Sequence, residues 1–101
     1  MILLITVELL EIKGKRVLGL KVDLPKAPLL LIICGEIVIG CGYISVEAME
    51  KLGNCACVVR GVRSFEDMLN AEISELTSKA EKLGARKGMR VRELLENIAQ
   101  I

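Results

Sequence analysis

The chain has 101 residues, 52% of them apolar and 27% charged, with a formal net charge of +1. That length suits one domain, read here as spanning residues 1–101, and that composition excludes intrinsic disorder. Met1 to Val59 carries six basic and six acidic residues and the remainder eight and seven, so counterion release offers little nucleic-acid affinity, and with Tyr43 and Phe65 as the only aromatics there is no base-stacking platform either.

Histidine is absent, which removes Ser–His and Cys–His dyads and any His metal ligand. High charge combined with high aliphatic content is thermophile-like. At the start of the chain no basic segment precedes a continuous apolar block, and Glu8 and Glu11 interrupt the first apolar run. The reading is a cytoplasmic protein with reduced thiols, with neither a signal peptide nor a membrane span.

Taken in order, Ile2 to Ile12 reads as a first strand, with Leu3, Ile5, Val7 and Leu9 on one face. Its other face is also more apolar than solvent contact needs. Lys13-Gly14-Lys15 is a hairpin turn, and Arg16 to Leu24 returns as a second strand. Pro25-Lys-Ala-Pro28 breaks the ladder. Leu29 to Cys34, apolar on both faces, is a third and central strand. Ile37 to Tyr43 is a fourth, with Gly40 and Gly42 leaving one face flat. Ser45 then caps a short helix that ends at Gly53. Cys55 to Arg60 is a fifth strand. Ser64 with Asp67 resembles a capping box and opens a second helix to about Asn70. Glu72 to Leu83 has a helical stripe of Ile73, Leu76, Ala80 and Leu83, and Met89 to Ile101 reads as a final helix. The fold class is α+β: a mixed, mainly antiparallel sheet of about five strands with one strand-helix-strand unit and three to four helices, largely on one face.

Four segments in this order and spacing resemble the YunC-like family, small bacterial and archaeal domains of unknown function. They are Val22-Asp-Leu-Pro-Lys26, Gly40-Cys-Gly42 before a capped helix, Val59-Arg-Gly-Val-Arg-Ser-Phe-Glu-Asp-Met-Leu69, and Leu83-Gly-Ala-Arg-Lys-Gly-Met89 before Arg92-Glu93-Leu94-Leu95. One departure is that Arg90 and Val91 stand where the family typically has Thr or Ser and then Gly. The resemblance implies a compact α+β fold and brings no assigned activity with it.

If the fourth and fifth strands are parallel, both end on one edge of the sheet, each ahead of a capped helix. Gly42, Ser45, Arg60, Gly61, Arg63 and Ser64 then converge as a site for a small anionic ligand. The plainer reading is that the two serines only cap helices and the arginines are solvated. Cys41, between glycines at a strand end, is the candidate reactive thiol of an enzyme that would use Arg60 and Arg63 as anion binders. Against that reading, it shares a face with Ile37 and Ile39, which points to burial. Cys34, Cys41, Cys55 and Cys57 lack the spacing of zinc ribbons or fingers, so neither metal nor cofactor is expected. The surplus apolar surface of the first three strands calls for a partner, most economically a second copy of the chain. The function read from the sequence is therefore a homo-oligomeric module with an anion site, the thiol enzyme being the alternative.

Overall fold

The computed structural model describes residues 4–98. Its sheet runs in chain order: β1 (Ile5–Ile12), β2 (Lys15–Asp23), β3 (Pro28–Cys34), β4 (Ile37–Gly40), β5 (Cys55–Val58) and β6 (Glu75–Leu76). Four helices accompany it: α1 (Val46–Leu52), α2 (Phe65–Asn70), α3 (Ser78–Lys82) and α4 (Val91–Ile98). β4 and β5 are parallel and every other neighbouring pair is antiparallel. The α+β class holds, with six strands instead of five. Among the described residues no helix is long and apolar enough to cross a membrane.

One face of the sheet carries the main core. Ile12, Val17, Leu30, Ile32, Ile37, Ile39, Cys57 and Val59 are buried there against Met68 and Leu69 of α2 and Leu94 and Leu95 of α4. Strand alternation and the helical i, i+3, i+4 spacing of Val91, Leu94 and Leu95 meet on this surface. The antiparallel register puts Gly40 on the opposite face, beside Leu31 and Val58. There a Cβ at Gly40 would run into Ile44, which leads into α1, and Ala56 and Val58 are fully buried. α1 therefore covers β4 and β5 on the second face, where Ile5, Val7 and Leu9 of β1 are exposed and the β2 and β3 side chains are only partly buried.

Three expectations are corrected. The helix expected over 72–83 is divided: Glu72 bridges to Arg90, Glu75 and Leu76 form β6 on β5, and only Ser78–Lys82 is helical. The stripe of Ile73, Leu76 and Ala80 satisfies a helical period, but β5 has an open edge whose carbonyls need donors. Ser74 N–H donates to Val58 O at 2.8 Å, and Thr77 N–H to Ala56 O at 2.9 Å. The last helix begins at Val91 and not at Met89, because Met89 O accepts from Ile73 N–H and Val91 N–H donates to Ala71 O. The Asp67 carboxylate does not close a capping box on Ser64; it accepts from the N–H of the preceding residue, Arg63, at 3.1 Å. The reading of Ile2 and Leu3 as strand, and of residues 99–101 as helix, lies outside the described residues.

Candidate functional site

β4 ends at Gly40 and the chain turns at once, Ile44 N–H donating to Cys41 O at 3.0 Å. β5 ends one position from the same edge, where Val59 N–H donates to Gly40 O at 2.9 Å. Parallel pairing thus delivers the Cys41–Tyr43 turn and the Gly61–Arg63 turn side by side. Between them lies a cleft of about 310 Å³, walled by Ala27, Pro28, Cys41, Gly42, Tyr43, Gly61, Val62 and Arg63. The loop after β2 closes one side, where the Tyr43 hydroxyl donates to Ala27 O at 3.3 Å.

Of the residues nominated from the sequence, Cys41, Gly42, Gly61 and Arg63 line this cleft. Ser45 and Ser64 do not. Each starts its helix, and their hydroxyl oxygens accept from Ala48 N–H at 3.1 Å and Asp67 N–H at 3.0 Å. Arg60 lies beside the cleft, with Nη1 3.7 Å from where a Cβ at Gly42 would sit, but its guanidinium is paired with the Glu75 carboxylate. Among the described residues, Arg63 has no carboxylate within ion-pair distance of its guanidinium.

Arg63, Ala27 and Pro28 also wall a second cleft, of about 320 Å³, that continues over Lys21, Asp23, Leu24, Pro25 and Lys26. Lys21 and Asp23 are 3.9 Å apart there. Sequence reasoning missed Lys21 and Lys26. The available signal was the pair of prolines: a stiff loop that cannot extend the ladder must cross an end of the sheet, and here it crosses the one that holds Arg63.

Cys41 is 3% exposed, and its Sγ accepts a hydrogen bond from Leu30 N–H at 3.3 Å. The other three thiols are buried as well. Burial pushes Cys34 up from its ordinary pKa. It also raises Cys55, where Glu36 adds to the effect and Lys79 opposes it. Cys57 is pushed up to about 12 by burial, with Cys55 adding to it. A thiol so raised stays protonated at neutral pH and is a poor nucleophile. Neutral alkylation of the native protein is accordingly expected to leave Cys34, Cys55 and Cys57 unmodified, with rapid labelling only in denaturant; mass spectrometry of the alkylated chain checks this. Among the described residues, no three Cys, Asp or Glu side chains come together as a metal-ligand set.

A family model described as Domain of unknown function (DUF1805) matches residues 40–98, both glycine turns included. The chain belongs to the DUF1805 family. It is 32% identical over 88 residues to the uncharacterized protein YunC of Bacillus subtilis (strain 168), a match that covers 83% of this chain and 87% of that one. The resemblance drawn from the four segments is therefore borne out. The fold is that of the crystal structure of a protein of unknown function, TA1206, from Thermoplasma acidophilum. The two share a TM-score of 0.89 and 33% identity, over 95% of this chain and 94% of the other. The Thermoplasma protein thus shares the fold in which the cleft forms.

Proposed function

We propose that this domain is a homo-oligomeric module that binds a small anionic ligand in the cleft between Cys41–Ser45 and Gly61–Ser64. The observation that carries the ligand half is Arg63, a cation without an ion-pair partner among the described residues, on the wall shared by both clefts. Backbone groups at Gly42 and Gly61 are open to a ligand because neither residue has a side chain to shield them. Lys26 adds positive charge along the second cleft, where Lys21 is paired with Asp23. Ser45, Arg60 and Ser64 act behind this layer, the serines by fixing the helix starts and Arg60 by flanking Gly42. The same reading places the domain in the cytoplasm, where its four unpaired thiols stay reduced.

Titration with inorganic phosphate, followed by amide chemical shifts, tests the site. Shifts are expected to concentrate at Gly42, Tyr43, Gly61 and Arg63. Arg63→Ala is expected to weaken binding about tenfold or more, since a charge-assisted contact to an anion contributes roughly 1.5–3 kcal/mol. Lys51→Ala, on the solvent side of α1, leaves binding unchanged. Absence of localised shifts at tens of millimolar phosphate overturns the ligand half.

The oligomeric half rests on the uncovered face of β1 to β3. Ile5, Val7 and Leu9 are 63%, 63% and 60% exposed. They continue across the register into Val22, Leu20 and Leu18, which are only half-buried. A second copy brings the same apolar strip, so a two-fold contact is self-complementary. Light scattering at micromolar concentration is expected to give a multiple of the monomer mass.

The thiol-enzyme alternative retains one favourable observation, that Cys41 borders the cleft. Its 3% exposure and the Leu30 N–H donated to its sulfur favour a wall of the binding site over a nucleophile.

A further inference from the structure

The two edges of the sheet are built differently. β6, at one end, is Glu75–Leu76 alone, too short to template another strand. β1, at the other end, is an uninterrupted strand of eight residues, Ile-Thr-Val-Glu-Leu-Leu-Glu-Ile, with no proline or lysine, and it pairs along its whole length with β2. A long, regular, apolar edge is the form that pairs with another strand, and proteins that avoid such pairing blunt it.

Which backbone groups face outward follows from the hairpin. The loop is Lys13-Gly14, both at positive φ, so the closing pair Ile12–Lys15 is hydrogen-bonded, and hydrogen-bonded pairs recur at every second residue. Asp23 N–H donating to Leu4 O at 2.9 Å falls in the same phase. The N–H and C=O groups of Leu4, Thr6, Glu8 and Leu10 are therefore turned to β2, and those of Ile5, Val7 and Leu9 point away from it.

We infer that β1 pairs antiparallel with β1 of a second copy about a two-fold axis at Val7, joining the two sheets edge to edge. This rests on the self-assembly reading above and adds its geometry. In this register Val7 faces Val7′ and Ile5 faces Leu9′ in hydrogen-bonded pairs, which use the outward-facing groups. Thr6 faces Glu8′, and Leu4 faces Leu10′. The register one step away centres on Glu8 and sets Glu8 against Glu8′ at a closely spaced, non-hydrogen-bonded site, where like charges repel. Glu8 thereby disfavours the Glu8-centred register. Exposure fits as well: Leu18 and Leu20, flanked by strands on both sides, are half-buried, whereas Val7 and Leu9, flanked on one side, are about 60% exposed. A lateral neighbour brings the β1 side chains toward the state of β2.

The test is cysteine cross-linking beside light scattering. Across a hydrogen-bonded pair Cα atoms are about 5.5 Å apart, within disulfide reach. With the four native thiols buried, Val7→Cys supplies the accessible one. Mild oxidation of Val7→Cys is expected to give a covalent dimer about tenfold faster than Glu8→Cys, whose partner thiol lies diagonally about 7–8 Å away. Val7→Pro removes only an outward N–H and is expected to yield a folded monomer by circular dichroism and light scattering. A wild-type monomer mass overturns both this inference and the self-assembly reading. If the wild-type protein is an oligomer but Glu8→Cys cross-links as fast as Val7→Cys, or Val7→Pro leaves the oligomer intact, the β1 pairing alone is overturned.

Discussion

Thr77→Val is expected to lower the unfolding free energy by roughly 2–4 kcal/mol, the cost of two orphaned donors and a lost cap. Thr77 is 1% exposed, and its Oγ1 accepts from two backbone groups: Ala56 N–H at 3.0 Å and Ala80 N–H at 3.3 Å. The first bond is unusual in origin. Thr77 stands next to Leu76 in the β5–β6 ladder, opposite Ala56, and its own N–H donates to Ala56 O at 2.9 Å. An ordinary ladder would return a bond from Ala56 N–H to the Thr77 carbonyl. That carbonyl already accepts from Glu81 N–H at 3.1 Å, as the first turn of α3 requires. The hydroxyl takes its place, so one side chain both continues the sheet and caps the helix. Valine keeps the shape and removes the acceptor, leaving the Ala56 and Ala80 N–H groups without a partner. Ala56 is fully buried, so water cannot substitute. Thr77→Ser keeps the oxygen and loses one methyl, and is expected to cost about 1 kcal/mol or less. Paired urea titrations of the two variants decide: equal loss for Ser and Val would show that the hydroxyl is not what holds this junction.

Gly40→Val is expected to destabilise by roughly 1–3 kcal/mol or more, the scale of an overpacked core, and to impair the cleft as well. A Cβ at Gly40 would lie 2.5 Å from Ile44 Cγ1 and 2.9 Å from Ile44 Cβ. The Cγ1 clash can be relieved by a rotamer change, but Cβ moves only with the backbone. Ile44 belongs to the turn whose N–H bonds to Cys41 O, so displacing it displaces Gly42 and Tyr43 on the cleft wall. Thermal denaturation should show the loss of stability, and phosphate titration a weakened site. Gly40→Ala combined with Ile44→Ala is expected to recover part of the stability lost in Gly40→Ala alone. Full tolerance of valine would mean that the turn is not packed against the strand as described.

Much of this arrangement could be read from residue order. The alternation through Leu18, Leu20 and Val22 marked β2, and the all-apolar run Leu29–Cys34 marked a central strand. Ser45 and Ser64 marked helix starts, and both cap as their chemistry requires. The strand-helix-strand unit with its capped helix was also visible, and its parallel pairing is what gathers Cys41, Gly42, Gly61 and Arg63. Ser45 and Ser64, read as ligand contacts, lie outside the cleft lining and accept N–H groups of their own helices. Lys26 reaches the site through the path of the Pro25–Pro28 loop and Lys21 from the end of β2, and their meeting with Arg63 is a contact distant in sequence.

By itself the sequence determined what short-range physics controls: which segments alternate, where the chain turns, and where the helices capped by Ser45 and Ser64 begin. It also showed β1 to β3 to be apolar on both faces, and Leu4, Ile5, Val7 and Leu9 are exposed in the fold. Only the tertiary structure decided what residues 72–83 become. Their apolar spacing fits a helix, yet the open edge of β5 supplies backbone acceptors at Val58 and Ala56 that a continuous helix would leave unmet. Backbone hydrogen bonding demands completeness across the whole molecule, whereas side-chain periodicity is local, and at Thr77 the first overruled the second. The same accounting, applied to the outer side of β1, turns the backbone groups of Ile5, Val7 and Leu9 away from β2, which is the basis of the strand pairing proposed above.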